Sequence, residues 1–280
     1  MHHRRDRFAG VRNLAFATQS WLPETAAKAA IVIVHGLAEH AGRYASVAAG
    51  LVARGYAVHA CDHVGHGASE GTRVFVERFD DFHDTLRRVR ARVADEHPGL
   101  PVCLLGHSMG GLIVADHLLA HQHEVALAVL SAPAVAVGSS VTPLTITLGR
   151  VLARIAPRVG VLALDTDGLS RDRAVVQAYR DDPLVHHGKT TARLGAEMLA
   201  AIARVRAGAA SLTLPLLIVQ GGADRLVDPD GARFLTHQVG SDDVTLRVYD
   251  GLFHEVFNEP EGGDVLDDVL AWLDERVAER

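Results

Sequence analysis

Six short apolar runs, punctuated by Gly, Asp or Ser, recur along the 280-residue chain: AAIVIVHG at 29–36, GYAVHACD at 55–62, LPVCLLG at 100–106, LAVLSAP at 127–133, LPLLIVQGG at 214–222 and VTLRVYDG at 244–251. Their apolar residues follow one another instead of alternating with polar ones, which marks strands covered on both faces, the habit of a parallel sheet. Between several of them the period changes to that of a helix. Asp80 to His97 carries apolar residues at Phe82, Leu86, Val89 and Val93, and DVLDDVLAWLDERV carries them at Val265, Leu266, Val269, Leu270, Leu273 and Val277. Strands alternating with helices predict an α/β fold with a mostly parallel central sheet flanked by helices. One stretch breaks the alternation. From 137 to 209 there are helical patterns and turn residues but no strand, and about 70 residues are too many for a plain loop in a compact domain. The expected layout is a core in two parts, 1–136 and 210–280, with a helical cap inserted at 137–209.

Composition narrows the classes. With 48% hydrophobic residues the chain can bury a full core, yet no run approaches the roughly 20 apolar residues of a membrane span. A net charge of -6 argues against a general nucleic-acid binder. The charge is uneven: the segment 137–209 is net +4 and the remainder net -10. The opening MHHRRDRFAG is basic but runs into no apolar stretch with a small-residue cleavage site, so no secretory signal is expected and the expected location is cytoplasmic. Cys61 and Cys103 each lie inside an apolar run, as buried thiols in a reducing compartment do.

The candidate chemistry starts at LLGHSMGG, residues 104–111. A strand runs to Gly106 and a helical pattern starts after Ser108, so the serine sits on a strand-to-helix turn. That is the context of a G-x-S-x-G nucleophile elbow, in which the small residues permit a sharp turn and the serine Oγ projects above the sheet. The helix N-terminus and the Met109 N–H point at the same place and can stabilise an oxyanion. An acid and a base follow in the order this arrangement requires: Asp224 just past the strand LPLLIVQ, and His254 just past TLRVYDG. Asp228 and Asp230 lie deeper in the same loop as rivals. After the first apolar run comes HGLAEHAGRY at 35–44, where Leu37 is the candidate for the second oxyanion N–H.

HGLAEHAGRY, DHVGHGASEG at 62–71, LLGHSMGG and GGADRLVD, in that order, resemble segments of the monoacylglycerol lipases of the α/β-hydrolase superfamily. LSRDRAVVQAYRDDPLV at 169–185 resembles the cap of that family, and LFHEVFNEP its bacterial members. The resemblance implies the α/β-hydrolase fold and hydrolysis of monoacylglycerols to glycerol and a fatty acid, with Ser108, Asp224 and His254 as the triad and no cofactor. It also implies that Glu39, Arg43 and Tyr179 help hold the glycerol head. Lysophospholipases, carboxylesterases and thioesterases share the triad and differ at the head-group site; a ligand receptor on the same fold is the non-enzyme alternative.

Two further patterns bear on partners. In VTPLTITLGRVLARIAPRVG, Leu148, Val151, Leu152 and Ile155 form an apolar face and Arg150 and Arg154 a polar one. Such a helix can roof a substrate tunnel and touch an anionic membrane surface transiently. His117, His121 and His123 lack paired Cys or a placed third ligand, so no metal is expected there, while His63 and His66 are read as shaping their own loop.

Overall fold

The computed structural model describes residues 1–136 and 143–278. The predicted cap boundary at 137 lies outside the described residues. In chain order the elements are β1 (His2–Ala9), β2 (Ala15–Leu22), β3 (Ala29–Val34), α1 (Ala45–Ala53), β4 (Tyr56–Cys61), α2 (Asp80–Glu96), β5 (Val102–His107), α3 (Met109–His121) and β6 (Ala128–Ser131). There follow α4 (Pro143–Ile155), β7 (Gly160–Leu162), α5 (Arg173–Asp181), β8 (Thr190–Thr191) and α6 (Ala192–Gly208), then β9 (Leu216–Gly221), α7 (Asp230–Gln238), β10 (Val244–Tyr249) and α8 (Gly262–Val277).

The main sheet has the order β1-β2-β4-β3-β5-β6-β9-β10. The six apolar runs are its six parallel strands, and β1 and β2 close one edge as an antiparallel pair. Why those runs are continuous is visible in β3, where every residue is buried. Ala30, Val32 and Val34 pack on one face with Phe82, Leu86 and Val89 of α2 and Leu112 of α3. Ile31 and Ile33 pack on the other with Val47 and Leu51 of α1 and Val269 and Leu273 of α8. Each face needs an apolar partner, so no position is left for a polar residue.

Two features depart from the sequence reading. The β1–β2 hairpin has no apolar run to mark it: β1 is exposed except at half-buried Phe8, as a polar edge strand is, and β2 buries only Phe16, Ser20 and Trp21. The inserted segment, expected to hold no strand, contains the antiparallel pair β7–β8, whose three and two residues are too short to show a period.

At the carboxyl ends of β3, β5, β9 and β10 the chain enters the loops that carry residues 35–44, Ser108, Asp224 and His254, the edge where open α/β sheets bind ligands. Backbone hydrogen bonds tie the insert down over this edge, from His186 N–H to the Ala38 carbonyl (2.8 Å) and from Glu255 N–H to the Leu169 carbonyl (2.8 Å).

Candidate active site

Ser108 is the one residue between β5 and α3, and its backbone is at φ 54°, ψ -118°. This is a region non-glycine residues avoid, at a cost of about 1–3 kcal/mol, and it persists because the surroundings hold it. The Ser108 N–H donates to the Ser131 carbonyl at 2.9 Å, and its own carbonyl accepts from Leu112 and Ala134 N–H, both at 3.1 Å. The flanking glycines are required by proximity. A Cβ on Gly106 would lie 2.5 Å from the Gly110 carbonyl oxygen, and one on Gly110 would lie 1.9 Å from that of Val34. Only hydrogen fits where helix, elbow and β3 cross.

His254 and Asp224 meet, with Nδ1 of the imidazole 2.8 Å from Oδ2 of the carboxylate. The other carboxylate oxygen accepts from Leu226 N–H (2.8 Å) and Val227 N–H (3.0 Å), and Gln220 Nε2 donates to Oδ2 at 3.0 Å. Burial alone raises the Asp224 carboxyl, but the hydrogen bond from His254 and these N–H groups outweigh it and hold the group below the usual carboxylate range. An Nδ1 facing an ionised carboxylate carries the proton, which leaves the lone pair on Nε2. Of the rivals, Asp228 accepts from the Asp230 N–H and Asp230 pairs with Arg233.

Glu39 and Arg43 form a buried charge network. Glu39 accepts from Gly36 N–H (2.6 Å), Tyr44 hydroxyl (2.6 Å) and Arg43 Nη1 (2.7 Å). Arg43 also donates from both Nη atoms to Glu255, and its guanidinium lies 4.7 Å over the Tyr179 ring. Burial disfavours charge on Glu39, but Arg43, His107 and Tyr44 keep its carboxyl below its ordinary range. The sequence reading missed Glu255. It stands beside His254, but nothing in its spacing points to an arginine so far upstream. His40 Nε2 lies 2.9 Å from Asp182 Oδ2, so EHxxRY of the core and YxxDPL of the insert clasp one another.

These groups surround one cavity of about 380 Å³. Its polar end is formed by Ser108, His254, His107, Glu39, Glu255 and Tyr179; its walls are apolar, among them Leu164, Leu169, Met198, Leu199, Ile202 and Leu226. Leu37 lines it, whereas the Met109 side chain is buried in the core. The Tyr179 hydroxyl is buried with no hydrogen-bond partner among the described residues. The His107 ring centroid is 4.8 Å from that of His254; burial, then repulsion from His254, pushes it down to about 4 and leaves it neutral at pH 7. His63 binds His35 through its N–H (2.9 Å) and its Nε2 (3.0 Å to the His35 carbonyl), so with His66 it braces the loop. His117 and His121 stack at 4.8 Å, and His123 is largely exposed.

A serine on a strand-to-helix turn at the centre of a mostly parallel sheet, lining one cavity with a histidine that pairs with an Asp from another strand end, defines an α/β hydrolase of the serine type. The family profile described as serine aminopeptidase, S33 matches residues 25–261. The monoacylglycerol lipase of Mycolicibacterium smegmatis is 44% identical over 95% of both chains, and the human monoglyceride lipase is 38% identical over 92% of this chain and 86% of its own. The crystal structure of Paleococcus ferrophilus monoacylglycerol lipase superposes with a TM-score of 0.84 at 29% identity, covering 99% of this chain and 100% of that one. The chain belongs to this family, the one that holds the monoacylglycerol lipases.

Proposed function

We propose that the protein hydrolyses monoacylglycerols to glycerol and a fatty acid through an acyl-enzyme. The observation that carries the reading is one cavity of about 380 Å³ with apolar walls, whose polar end holds Ser108 and His254, the latter paired with Asp224. His254 Nε2 takes the Ser108 proton, the alkoxide attacks the ester carbonyl, and the oxyanion accepts from the Leu37 and Met109 backbone N–H groups. Asp224 holds the imidazole in its reactive tautomer and stabilises the imidazolium. The alcohol leaves with the proton from His254, and water, deprotonated by the same nitrogen, cleaves the acyl-enzyme.

In this reading residues 137–209 are the cap. Its Tyr179 brings to the polar end a hydroxyl with no partner among the described residues, which suits a glycerol hydroxyl, while Glu39 and Arg43 hold the loop that shapes the same pocket. Binding a free amino terminus, as an aminopeptidase does, asks for an available carboxylate. Glu39 and Glu255, the two that line the cavity, already have both oxygens engaged, Glu39 by Gly36, Tyr44 and Arg43 and Glu255 by Arg43. The exposed apolar side chains Leu148, Val151, Ile155 and Leu162 lie on the cap beside Arg150 and Arg154, and they support transient contact with an anionic lipid surface. Among the described residues no helix is long and apolar enough to cross a membrane.

The test is turnover of monoolein, diolein, lysophosphatidylcholine, short p-nitrophenyl esters and an aminoacyl anilide by the wild-type chain and by Ser108→Ala. Preference for monoolein, abolished in the folded variant, is the expected result. Near-wild-type activity of the variant refutes Ser108 as nucleophile, and preference for another substrate refutes the head-group assignment.

A further inference from the structure

We propose that His59, Glu96 and His97 form a second, non-catalytic site that binds a divalent transition-metal ion of the zinc class. Their ligand atoms all lie within 4.8 Å of one another, and the two imidazoles face each other with Nε2 atoms 2.9 Å apart. Two imidazole nitrogens and one carboxylate oxygen are a complete set of three protein ligands for zinc, with water in the fourth position. Bound tetrahedrally with Zn–N near 2.0–2.1 Å, the two nitrogens stand about 3.3 Å apart, so the pair opens by only a few tenths of an ångström.

Three details favour the site. Ser20 Oγ is 3.0 Å from His59 Nδ1; a hydroxyl that accepts from Nδ1–H puts the lone pair on Nε2, the atom facing His97, as an outer partner of a metal-bound histidine does. Glu96 ends α2 and His97 caps it at φ -127°, ψ 65°, so the chain leaves the helix between two neighbouring ligands. A pocket of about 30 Å³ lies beside the cluster, lined in part by Arg4, Ser20, His59 and Glu96, which is room for an ion or one water. Nitrogen ligands favour zinc, copper or nickel over magnesium or calcium.

Arg4 is the competitor, since its Nη2 donates to both oxygens of Glu96 at 2.8 Å. It lies on the exposed strand β1 with a side chain 52% exposed, so it can turn out into water when a cation takes its place. The site is remote from the chemistry. Helix α2 leads into β5 at the edge where that strand begins, opposite the end that carries Ser108, so a bound ion ties α2 to β4 and β2 and takes no part in ester hydrolysis.

The experiment is calorimetric titration of the full chain with ZnCl2, and separately MgCl2, in chelator-stripped buffer at about pH 7.5, since metal binding requires deprotonated ligands. Thermal unfolding and ester hydrolysis are followed alongside. The expected results are one saturable zinc site, a higher Tm with zinc, no magnesium binding and unchanged turnover. His97→Gln, at a half-exposed cap position, weakens binding about tenfold or more and abolishes the Tm shift; Arg4→Ala, which frees Glu96, tightens it several-fold. Absence of a saturable site, equal affinity for magnesium, wild-type affinity in His97→Gln, or no gain in Arg4→Ala each overturns the proposal. Using Arg4 and His97 keeps the test independent of buried His59, whose replacement risks the fold.

Discussion

Arg43 and Glu255 stand 212 residues apart, and the guanidinium of one donates both Nη atoms to the carboxylate of the other, at 2.6 and 2.7 Å. The same arginine holds Glu39, so one cation bridges two buried carboxylates and joins the loop after β3 to the residue that follows His254.

Arg43→Met therefore leaves two buried carboxylates without a counter-charge and is expected to cost about 3–5 kcal/mol in denaturant unfolding. Arg43→Lys keeps the charge but loses the fork that serves both partners, and should fall between the two. A loss below about 1 kcal/mol in Arg43→Met would mean that the network is not what holds these loops together.

Tyr179→Phe separates substrate binding from folding. With no partner for its hydroxyl among the described residues, the phenylalanine chain should be at least as stable as wild type in a thermal melt. The lost glycerol hydrogen bond, worth about 0.5–1.5 kcal/mol, lowers kcat/KM for monoolein roughly two- to tenfold. Short p-nitrophenyl esters, which lack the glycerol, should turn over unchanged. Equal losses on both substrates would move Tyr179 out of the head-group site.

Acid should destabilise the fold well above the usual carboxylate range. Burial is the leading cause that depresses six histidines: His35 and His63 fall well below their ordinary value, His59, His66 and His107 to about 4, and His117 to about 3. Between about pH 6.5 and 4 the unfolded chain takes up protons that the folded one refuses. Stability is thus complete above about pH 6.5 and falls as pH drops, at up to about 1.4 kcal/mol per unit for each such histidine. Guanidinium midpoints measured from pH 7.5 down to 5 should decline steeply, and a flat profile would contradict these environments. His117→Leu should flatten part of the decline, because neither ring nitrogen has a hydrogen-bond partner among the described residues.

Contact with lipid through the cap rests on exposed apolar side chains: Ile155 is 76% exposed, Leu162 65% and Leu148 60%. Replacing Leu148 and Ile155 with Glu should reduce sedimentation with anionic vesicles while leaving hydrolysis of a dissolved short ester intact. Unchanged vesicle binding would assign membrane contact elsewhere.

Much of this molecule was legible before any tertiary structure. The six parallel strands follow from largely apolar runs, because a strand covered on both faces leaves little room for polar residues, His59 of β4 and Gln220 of β9 being buried exceptions. The elbow is legible as a motif, since Gly106, Ser108 and Gly110 lie within five residues, although the close approach that demands Gly110 comes from Val34 of β3, far upstream. The β1–β2 hairpin was not legible, since an exposed edge strand needs little apolar surface, and β7–β8 is too short to carry a period.

The sequence by itself determined the α/β alternation, the serine at the turn, and the order in which an acid and a histidine follow it, because these depend on sterics and burial within a few residues. Only the tertiary structure decided that Asp224, and neither Asp228 nor Asp230, stands against His254. It alone joined His40 to Asp182 and Arg43 to Glu255 across 142 and 212 residues. Charge pairing over such separations leaves no period or motif in the chain, since any carboxylate satisfies a guanidinium and the sheet order chooses which one arrives.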